Sequence, residues 1–292
     1  MNLKLAPSDY EIYIPIAEWI ERNIKEWLFT QRPLFKKLAA PIDATLEGLD
    51  TLFNWIPFPI VVLIFIFFAW KTNGVKFAFF AAISLIAIDL VDLWKETMTP
   101  LAMIFTAVIF CMITGIPLGI AASRSRIFEI ILRPILDIMQ TIPSFVYLIP
   151  IIMLLGIGKV PGLLAVCIYA LPPIVRLTNL GIREVDKETL EASEAFGATP
   201  MQKLKSVQIP LSLPTIFAGI NQTIMMALAM VVIASMIGVK GLGVPILQAI
   251  SNQYLALGMM NGLAIVALAI IFDRVTQQYG QRIQKHRGQL KK

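Results

Sequence analysis

The residues best suited to specific chemistry form a polar stretch at 191–214, EASEAFGATPMQKLKSVQIPLSLP, between two long apolar runs. Its glutamates and alanines favour a helix, and Gly197 permits a backbone turn that other residues disfavour. Thr199 can cap a second helix that has Pro200 in its first position. A helix, a turn and a second helix suit docking into a groove on a partner protein. We expect the stretch to end at Pro210 and Pro214, where the chain enters the membrane.

Residues that could support catalysis or hold a metal are sparse elsewhere. The single histidine, His286, lies in a basic tail, so a histidine-based metal site is not expected. Cys111 and Cys167 fall inside apolar runs and are typical of small buried hydrophobic residues. No G-x-x-x-x-G-K-[ST] loop occurs, so the standard means of holding ATP phosphates is missing. We predict no catalytic residue, no metal site and no cofactor in this chain.

The composition places the chain in a membrane. Of its 292 residues, 57% are hydrophobic and only 15% are charged, which is too much apolar surface for a soluble domain. The net charge of +6 comes from basic residues in short loops and the tail. Such residues set membrane topology, so we do not expect a nucleic-acid partner. No apolar h-region of a cleavable signal peptide opens the chain.

A membrane-spanning helix needs about 20 apolar residues, and seven apolar runs approach this length. They lie near residues 57–70, 75–91, 99–122, 139–157, 160–178, 214–238 and 255–272. Pro172 and Pro173 interrupt the fifth run and could kink it beside a transport pathway. Asn221 and Gln222, in the sixth run, could bridge two helices or line that pathway. These two roles remain open at this point.

The N-terminal segment, residues 1–56, predicts an amphipathic helix at the membrane surface. Its apolar positions recur at helical spacing and include tryptophans suited to headgroup depth. They are Ile16, Trp19, Ile20, Ile24, Trp27 and Leu28. The alternative is a soluble helix packed on a partner. The basic loops then place the N-terminal segment outside the cell, and residues 191–214 and the C-terminus inside.

The polar stretch also resembles a known motif. Glu191-Ala192-Ser193, Gly197 and Val207-x-Ile209-Pro210 are similar to the EAA loop of binding-protein-dependent ABC importers. Serine, valine and isoleucine replace the usual alanine, isoleucine and leucine, and these changes preserve size. Residues 95–275 also resemble the permease subunit of glycine betaine/proline betaine importers. The segments that carry this likeness include LTNLGIREV and AGINQTIMMALAMVVIASMIGVKGLG.

This resemblance implies an all-α polytopic membrane protein of the type I importer class. Five core helices would occupy residues 95–275, with a coupling loop at 190–214. Two further transmembrane helices (57–94), the interfacial segment and a basic cytoplasmic tail (276–292) would complete it. The residues implied to couple to an ATPase are Glu191, Ala192, Ser193, Glu194, Ala195, Gly197, Ala198, Val207, Ile209 and Pro210.

The resemblance also implies partners and a cargo. The partners would be ATPase subunits carrying ATP and Mg, an external substrate-binding protein, a second copy of the chain and membrane lipid. The cargo would be glycine betaine or a related quaternary ammonium osmolyte, taken up for osmoprotection across the cell membrane. Alternative cargoes are choline, carnitine, proline or another small solute. Other classes are a stand-alone secondary transporter or channel, for which intramembrane charges are scarce, and a membrane enzyme, for which no catalytic cluster exists.

Overall fold

The computed structural model describes residues 16–288, and these fold almost entirely into helices. Residues 1–15 and 289–292, at the ends of the N-terminal segment and the basic tail, lie outside the described residues. The helices are α1 (Ile16–Trp19), α2 (Glu26–Trp55), α3 (Phe58–Asn73), α4 (Val75–Leu90), α5 (Trp94–Arg124), α6 (Arg126–Thr141), α7 (Ser144–Leu155), α8 (Lys159–Arg183), α9 (Lys187–Ala195), α10 (Pro200–Gln202), α11 (Ile209–Ser235), α12 (Gly243–Asn252) and α13 (Leu255–Gly288). Wider π-helical turns at Ile20–Lys25 and Lys203–Gln208 connect α1 to α2 and α10 to α11.

Four continuous helical stretches within residues 16–288 are long and apolar enough to cross a membrane. They are α5, α8, the joined α10–α11 (Pro200–Ser235) and α13 as far as Gly280. Two sharply bent pairs, α2–α3 at 102° and α6–α7 at 100°, raise the number to six if each pair counts as one span.

Four of the seven expected runs therefore lie in continuous spanning helices, and the other three take a different form. The runs at 57–70 and 75–91 form helices of only 16 residues, about 24 Å long, which is shorter than the roughly 30 Å hydrocarbon core. The run at 139–157 contains the α6–α7 bend rather than one helix.

Both bends occur where a residue precedes a proline. Ile56 before Pro57 and Ile142 before Pro143 have extended backbone, with ψ of 125° and 128°. The proline ring disfavours the helical conformation of the residue before it, so one helix stops and the next starts in a new direction. By contrast, α8 remains helical through Pro172 and Pro173.

The core is built around α8, which packs between α5 and α11. Glycines permit both close approaches. A Cβ at Gly119 of α5 would lie 2.7 Å from the carbonyl oxygen of Val175, and one at Gly219 of α11 would lie 3.1 Å from the Cα of Ile174. Membrane helices associate largely through such close packing, because lipid solvates apolar side chains as well as another helix does.

The two N-terminal membrane helices pack on the side of this core. Buried residues of α3 and α4, among them Ala69, Ala81 and Leu85, contact Leu268 and Ile271 of α13. T-shaped ring pairs support the same contact, with Phe65 and Phe272 centroids 5.6 Å apart. The chain therefore has a main core around α8 and a smaller apolar cluster that attaches α3 and α4.

The bundle has two distinct ends. One, here named the α9 end, carries α9, α10 and the C-terminal ends of α5 and α8. At the opposite end, backbone hydrogen bonds join Gly158 to Ile237 and Leu242 to Glu96, each 3.0 Å long. Helix α2 crosses this opposite end, where Asp50 forms an ion pair of 2.6 Å with Lys159 at the start of α8.

Replacing Gly119 by alanine should destabilise the bundle by about 1–3 kcal/mol, because the new methyl group has no room against α8. The measurement is the free energy of unfolding of the purified chain in a detergent titration. Gly262→Ala in α13 is the matched control, since a Cβ there meets nothing within 4 Å. Equal stability of the two variants would contradict the packing described for α5 and α8.

Candidate coupling surface and pathway

The polar stretch folds as a short helix, a turn and a second helix, as its sequence predicts. Helix α9 begins at Asp186, whose side chain accepts hydrogen bonds from the backbone nitrogen and hydroxyl of Thr189 at 3.1 and 2.9 Å. The chain then reverses at Gly197, whose φ of +79° lies in the left-handed region. A residue with a Cβ is strained there, so glycine sets the angle between the two helices.

The second helix starts with a complete capping box. The hydroxyl of Thr199 accepts from the backbone nitrogen of Gln202, and the Gln202 side chain accepts from the backbone nitrogen of Thr199. These reciprocal bonds satisfy donors that a helix start leaves free. Pro200 occupies the first helical position, as expected.

The backbone does not break at Pro210 or Pro214, where the polar stretch is expected to enter the membrane. From Pro200 the helical backbone continues through the π-helical turn and α11 to Ser235, a stretch of 36 residues. Pro210 is tolerated because it lies in the first turn of α11, directly after the π-helical turn. The polar stretch is therefore joined directly to a long apolar helix of the core.

Most of the residues assigned to coupling lie on an exposed surface of α9 and the turn. Glu191, Ala192, Glu194, Ala195 and Gly197 are exposed, and Ser193 and Ala198 are half-buried. Val207, Ile209 and Pro210 lie farther along, half-buried where the segment joins α11. The structure thus brings the first seven together and places the last three at the junction.

Sequence reasoning missed the most prominent side chain of this surface. Phe196 is 94% exposed at the tip of the turn, directly before Gly197. An exposed aromatic side chain at the tip of a turn can serve as an anchor for a protein partner. The available signal was a lone phenylalanine inside an otherwise polar segment.

Charged side chains attach this segment to the bundle. Arg124 at the end of α5 donates to the carbonyl oxygen of Pro200 at 3.2 Å. Arg183 at the end of α8 donates to the carbonyl oxygen of Ala122 and forms a 2.7 Å ion pair with Glu129 of α6. An ion pair between Lys203 and Glu194 joins the π-helical turn to α9. Arg124 thereby holds the segment to the end of α5, while Arg183 links α8 to α5 and α6 beside it.

A cavity of about 320 Å³ lies beside this network, between α5, α6 and α8. A second ion pair, between Arg176 and Asp137, also links α6 to α8, with a 2.5 Å separation. Asn179 donates to Glu129 at 3.0 Å, so this face of α6 is held by polar contacts with α8. The other face of α6 exposes a row of isoleucines, including Ile127, Ile131 and Ile135.

The four residues named as possible pathway residues have different surroundings. Asn221 is buried and donates to Asp273 of α13 at 2.8 Å, so it bridges two helices. Asn221 and Gln222 both line an open cavity of about 390 Å³ together with Thr276 and Gln277, and of the two only Gln222 is exposed. Pro172 and Pro173 are buried inside α8. Gln222 alone among the four combines an exposed side chain with a place beside a cavity.

The bent pair α6–α7 contributes residues that sequence reasoning did not single out. The Gln140 amide donates to the Met226 sulfur at 3.6 Å, and the Tyr147 hydroxyl to the Met230 sulfur at 4.0 Å. Both donors flank the bend at Pro143, and both sulfurs belong to α11. The bend is therefore in contact with the helix that continues from the polar stretch.

No group of three or more His, Cys, Asp or Glu side chains within the described part of the chain could hold a metal ion. Cys111 and Cys167 are both buried, and the Cys111 thiol lies 3.7 Å from the carbonyl oxygen of Cys167. This contact belongs to the packing of α5 on α8.

Comparison with known families gives a match over more than half of the chain. The sequence model of the binding-protein-dependent transport system inner membrane component family matches residues 115–285. The glycine betaine/proline betaine transport system permease protein ProW of Escherichia coli is 47% identical over 273 residues, covering 93% of this chain and 77% of that protein. The glycine betaine/carnitine transport permease protein GbuB of Listeria monocytogenes is 41% identical, covering 92% and 96%.

The glycine betaine transport system permease protein OpuAB of Bacillus subtilis is 42% identical, covering 90% of this chain and 94% of that protein. Among solved structures, the inward-facing MetNI methionine ABC transporter matches with a TM-score of 0.56 and 24% identity. That match covers 66% of this chain and 95% of the solved chain. At this identity the likeness concerns the fold alone.

The Asn221–Asp273 hydrogen bond can be tested by a double-mutant cycle. Asn221→Ala and Asp273→Ala should each lower the free energy of unfolding, and the double variant should lose less than the sum of the two. The coupling energy should be about 1 kcal/mol, as for other hydrogen bonds between membrane helices. Unfolding in a detergent titration measures it, with the exposed neighbour Gln222→Ala as the control. Strictly additive losses would mean that the two side chains do not interact.

Proposed function

Because the chain belongs to the family of binding-protein-dependent transport system inner membrane components, we propose that it imports glycine betaine or a related quaternary ammonium solute as the membrane subunit of an ATP-driven transporter. The names of three relatives support this cargo, since each describes a glycine betaine transport protein. Accumulation of such a solute would protect the cell against osmotic stress. The chain itself is a transport subunit and not an enzyme.

The observation that carries the proposal is the exposed surface around Phe196 and Gly197, which directly precedes the continuous helical stretch Pro200–Ser235. A separate ATPase binds this surface and carries the ATP and Mg. Because α10 and α11 form one helical stretch, a movement of the docked ATPase displaces a helix of the core. The exposed glutamates of α9 favour basic groups around the ATPase site that receives Phe196.

The α9 end faces the cytoplasm in this proposal. Basic residues concentrate there, including Arg124, Arg126, Arg176, Arg183 and Lys187. The loops at the opposite end of the described bundle carry few, namely Lys95, Lys159 and Lys240. Helix α2, which also lies at that end, has basic residues, but they are matched by acidic ones such as Asp43, Glu47 and Asp50. By the positive-inside rule, α2 and the N-terminus then lie outside, and the C-terminus lies inside. Ends on opposite sides require an odd number of crossings, so α3 and α4 must each cross the membrane despite their length of 16 residues.

A second copy of the chain completes the pathway. On α11, Gln222 and Met225 are exposed on one face, next to the contacts that α11 makes with Gln140 and Tyr147. These groups offer polar and polarisable surface without a formal charge, which suits weak, transient contact with a quaternary ammonium ion. Tight binding is left to an external binding protein, whose aromatic side chains would enclose the cation.

Two rival functions remain testable. The same machine could carry carnitine, choline, proline or another small solute, and carnitine appears in the name of the Listeria relative. A stand-alone carrier or channel would need no ATPase. The exposed surface around Phe196 favours an ATP-driven transporter over a stand-alone carrier or channel.

The test of function is uptake of labelled glycine betaine into liposomes that contain this chain, its ATPase and its binding protein. We expect uptake that requires ATP inside the liposome and that falls when excess unlabelled betaine is added. If carnitine, choline or proline reduced uptake and unlabelled betaine did not, the cargo would be that other solute and the ATP-driven mechanism would stand. Uptake by the chain without the ATPase would overturn the proposal.

Phe196→Ala should weaken ATPase binding about tenfold or more, because a buried aromatic anchor commonly contributes above 1 kcal/mol to an interface. The stability of the isolated chain should not change, since Phe196 is almost fully exposed. Affinity of the ATPase for the reconstituted chain is the measurement. Lys187→Ala, at the far end of α9, is the control. A variant that binds and transports normally would show that Phe196 is not an anchor.

A further inference from the structure

An apolar cavity of about 330 Å³ lies between α3 and the main core. Its walls come from the end of α2 and from α3, α5, α11 and α13. Three of these helices contribute residues near their middle, namely Ile64 of α3, Val108 of α5 and Ile224 of α11. The cavity therefore lies at the depth of the hydrocarbon core and not at either end of the bundle.

Four phenylalanine rings, each from a different helix, contact one another along the wall of this cavity. The ring centroid of Phe53 in α2 lies 5.4 Å from that of Phe105 in α5. The centroid of Phe272 in α13 lies 5.6 Å from those of both Phe105 and Phe65, the latter in α3. Aromatic pairs at these distances have preferred geometries. The packed rings therefore fix the spacing of the four helices and hold the walls of the cavity apart.

The lining of the cavity offers almost nothing to a polar ligand. Among the described residues that line it, Thr276 has the only polar side chain, and its hydroxyl donates to the carbonyl oxygen of Phe272 at 2.6 Å. Apolar cavities of about 150 Å³ stay dry and bind molecules such as benzene. This cavity is about twice that size, so its volume and chemistry fit a larger apolar molecule.

The cavity opens sideways to the lipid, between α3 and α5. On α3, Ile64 and Phe68 line the cavity and are 45% and 51% exposed. At its back, Ile104 of α5 and Ile271 of α13 are only 2% and 0% exposed. Helix α3 packs on α4 and α13 and makes at most slight contact with α5. A hydrocarbon chain is narrow enough to enter between two helices, whereas another protein helix, about 10 Å wide, would insert only its side chains.

We propose that this cavity is a lipid-binding site that holds one hydrocarbon chain of a membrane phospholipid. The headgroup stays outside, because the lining has no polar group to receive it. The bound chain supplies the dispersion contacts that an empty cavity would forfeit, and it joins α3 to α5 where the two helices barely touch each other. The site strengthens the attachment of α3 and α4 to the core and does not depend on which solute is transported.

The test uses a phospholipid that carries a photoreactive diazirine at the middle of one acyl chain. The full complex is reconstituted in vesicles of phosphatidylethanolamine and phosphatidylglycerol, with the probe as part of the phosphatidylglycerol. Illumination attaches the chain to adjacent residues, and mass spectrometry of the peptides locates them. Ile104 reports the cavity, and Leu63, 64% exposed on α3 and outside the cavity lining, reports ordinary contact with lipid.

Val108→Trp fills the cavity from the α5 side, and we expect it to lower labelling of Ile104 several-fold while labelling of Leu63 stays unchanged. Ile113→Trp is the matched control, because Ile113 is 68% exposed on the same helix and does not line the cavity. This variant should label Ile104 as the parent chain does. If Val108→Trp fails to assemble, Val61→Phe fills the same cavity from the α3 side.

Two results would overturn the proposal. Labelling of Leu63 without labelling of Ile104 in the parent chain would mean that the cavity is empty or covered by protein. Labelling of Ile104 that persists in the cavity-filling variants would mean that the label comes from lipid outside the cavity. Betaine uptake is measured on the same vesicles, so a failure of the proposed transport is recognised separately from a failure of this site.

Discussion

Close contact between α8 and its neighbours α5 and α11 is the constraint on which the rest of the structure depends. Lipid tails solvate leucine and isoleucine as well as another helix does, so burial of apolar surface alone contributes little to the association of these helices. They associate where small residues let the backbones approach, at Gly119 and Gly219. Dispersion contacts, individually weak, then accumulate along the crossing. This packing sets the position of α11, and through it the position of the polar segment that precedes α11.

The polar contacts at the α9 end complement this apolar packing. Arg124 and Arg183 hold the ends of α5 and α8 to the polar segment and to α6. Such exposed ion pairs contribute little stability individually. The value of the contacts made by the segment itself is geometric, because Arg124 holds Pro200 beside the end of α5 and the Lys203–Glu194 pair holds α9 to the helix that follows it. A partner that binds Phe196 therefore meets a surface already in place.

Features with local causes could be predicted from the sequence. The turn at Gly197 and the cap at Thr199 depend on neighbouring residues, and both occur where they were expected. Features that depend on distant residues could not be predicted. Asn221 and Asp273 are 52 positions apart, so the sequence left the role of Asn221 open until α13 was placed beside α11. The same applies to Pro172 and Pro173, because the sequence could not show that both would be buried within a continuous helix α8 that packs between α5 and α11.

The unbroken stretch from Pro200 to Ser235 has a mechanical consequence. Its 36 residues extend about 54 Å, and the tight crossing at Gly219 lies about 29 Å from one end and about 24 Å from the other. If α8 acts as the fulcrum at that crossing, the stretch behaves as a lever with nearly equal arms. A sideways displacement of about 3 Å at α10 would then return as about 2.5 Å in the opposite direction near Ser235. The two ends of the bundle could open and close in alternation without any change in the length of the helix.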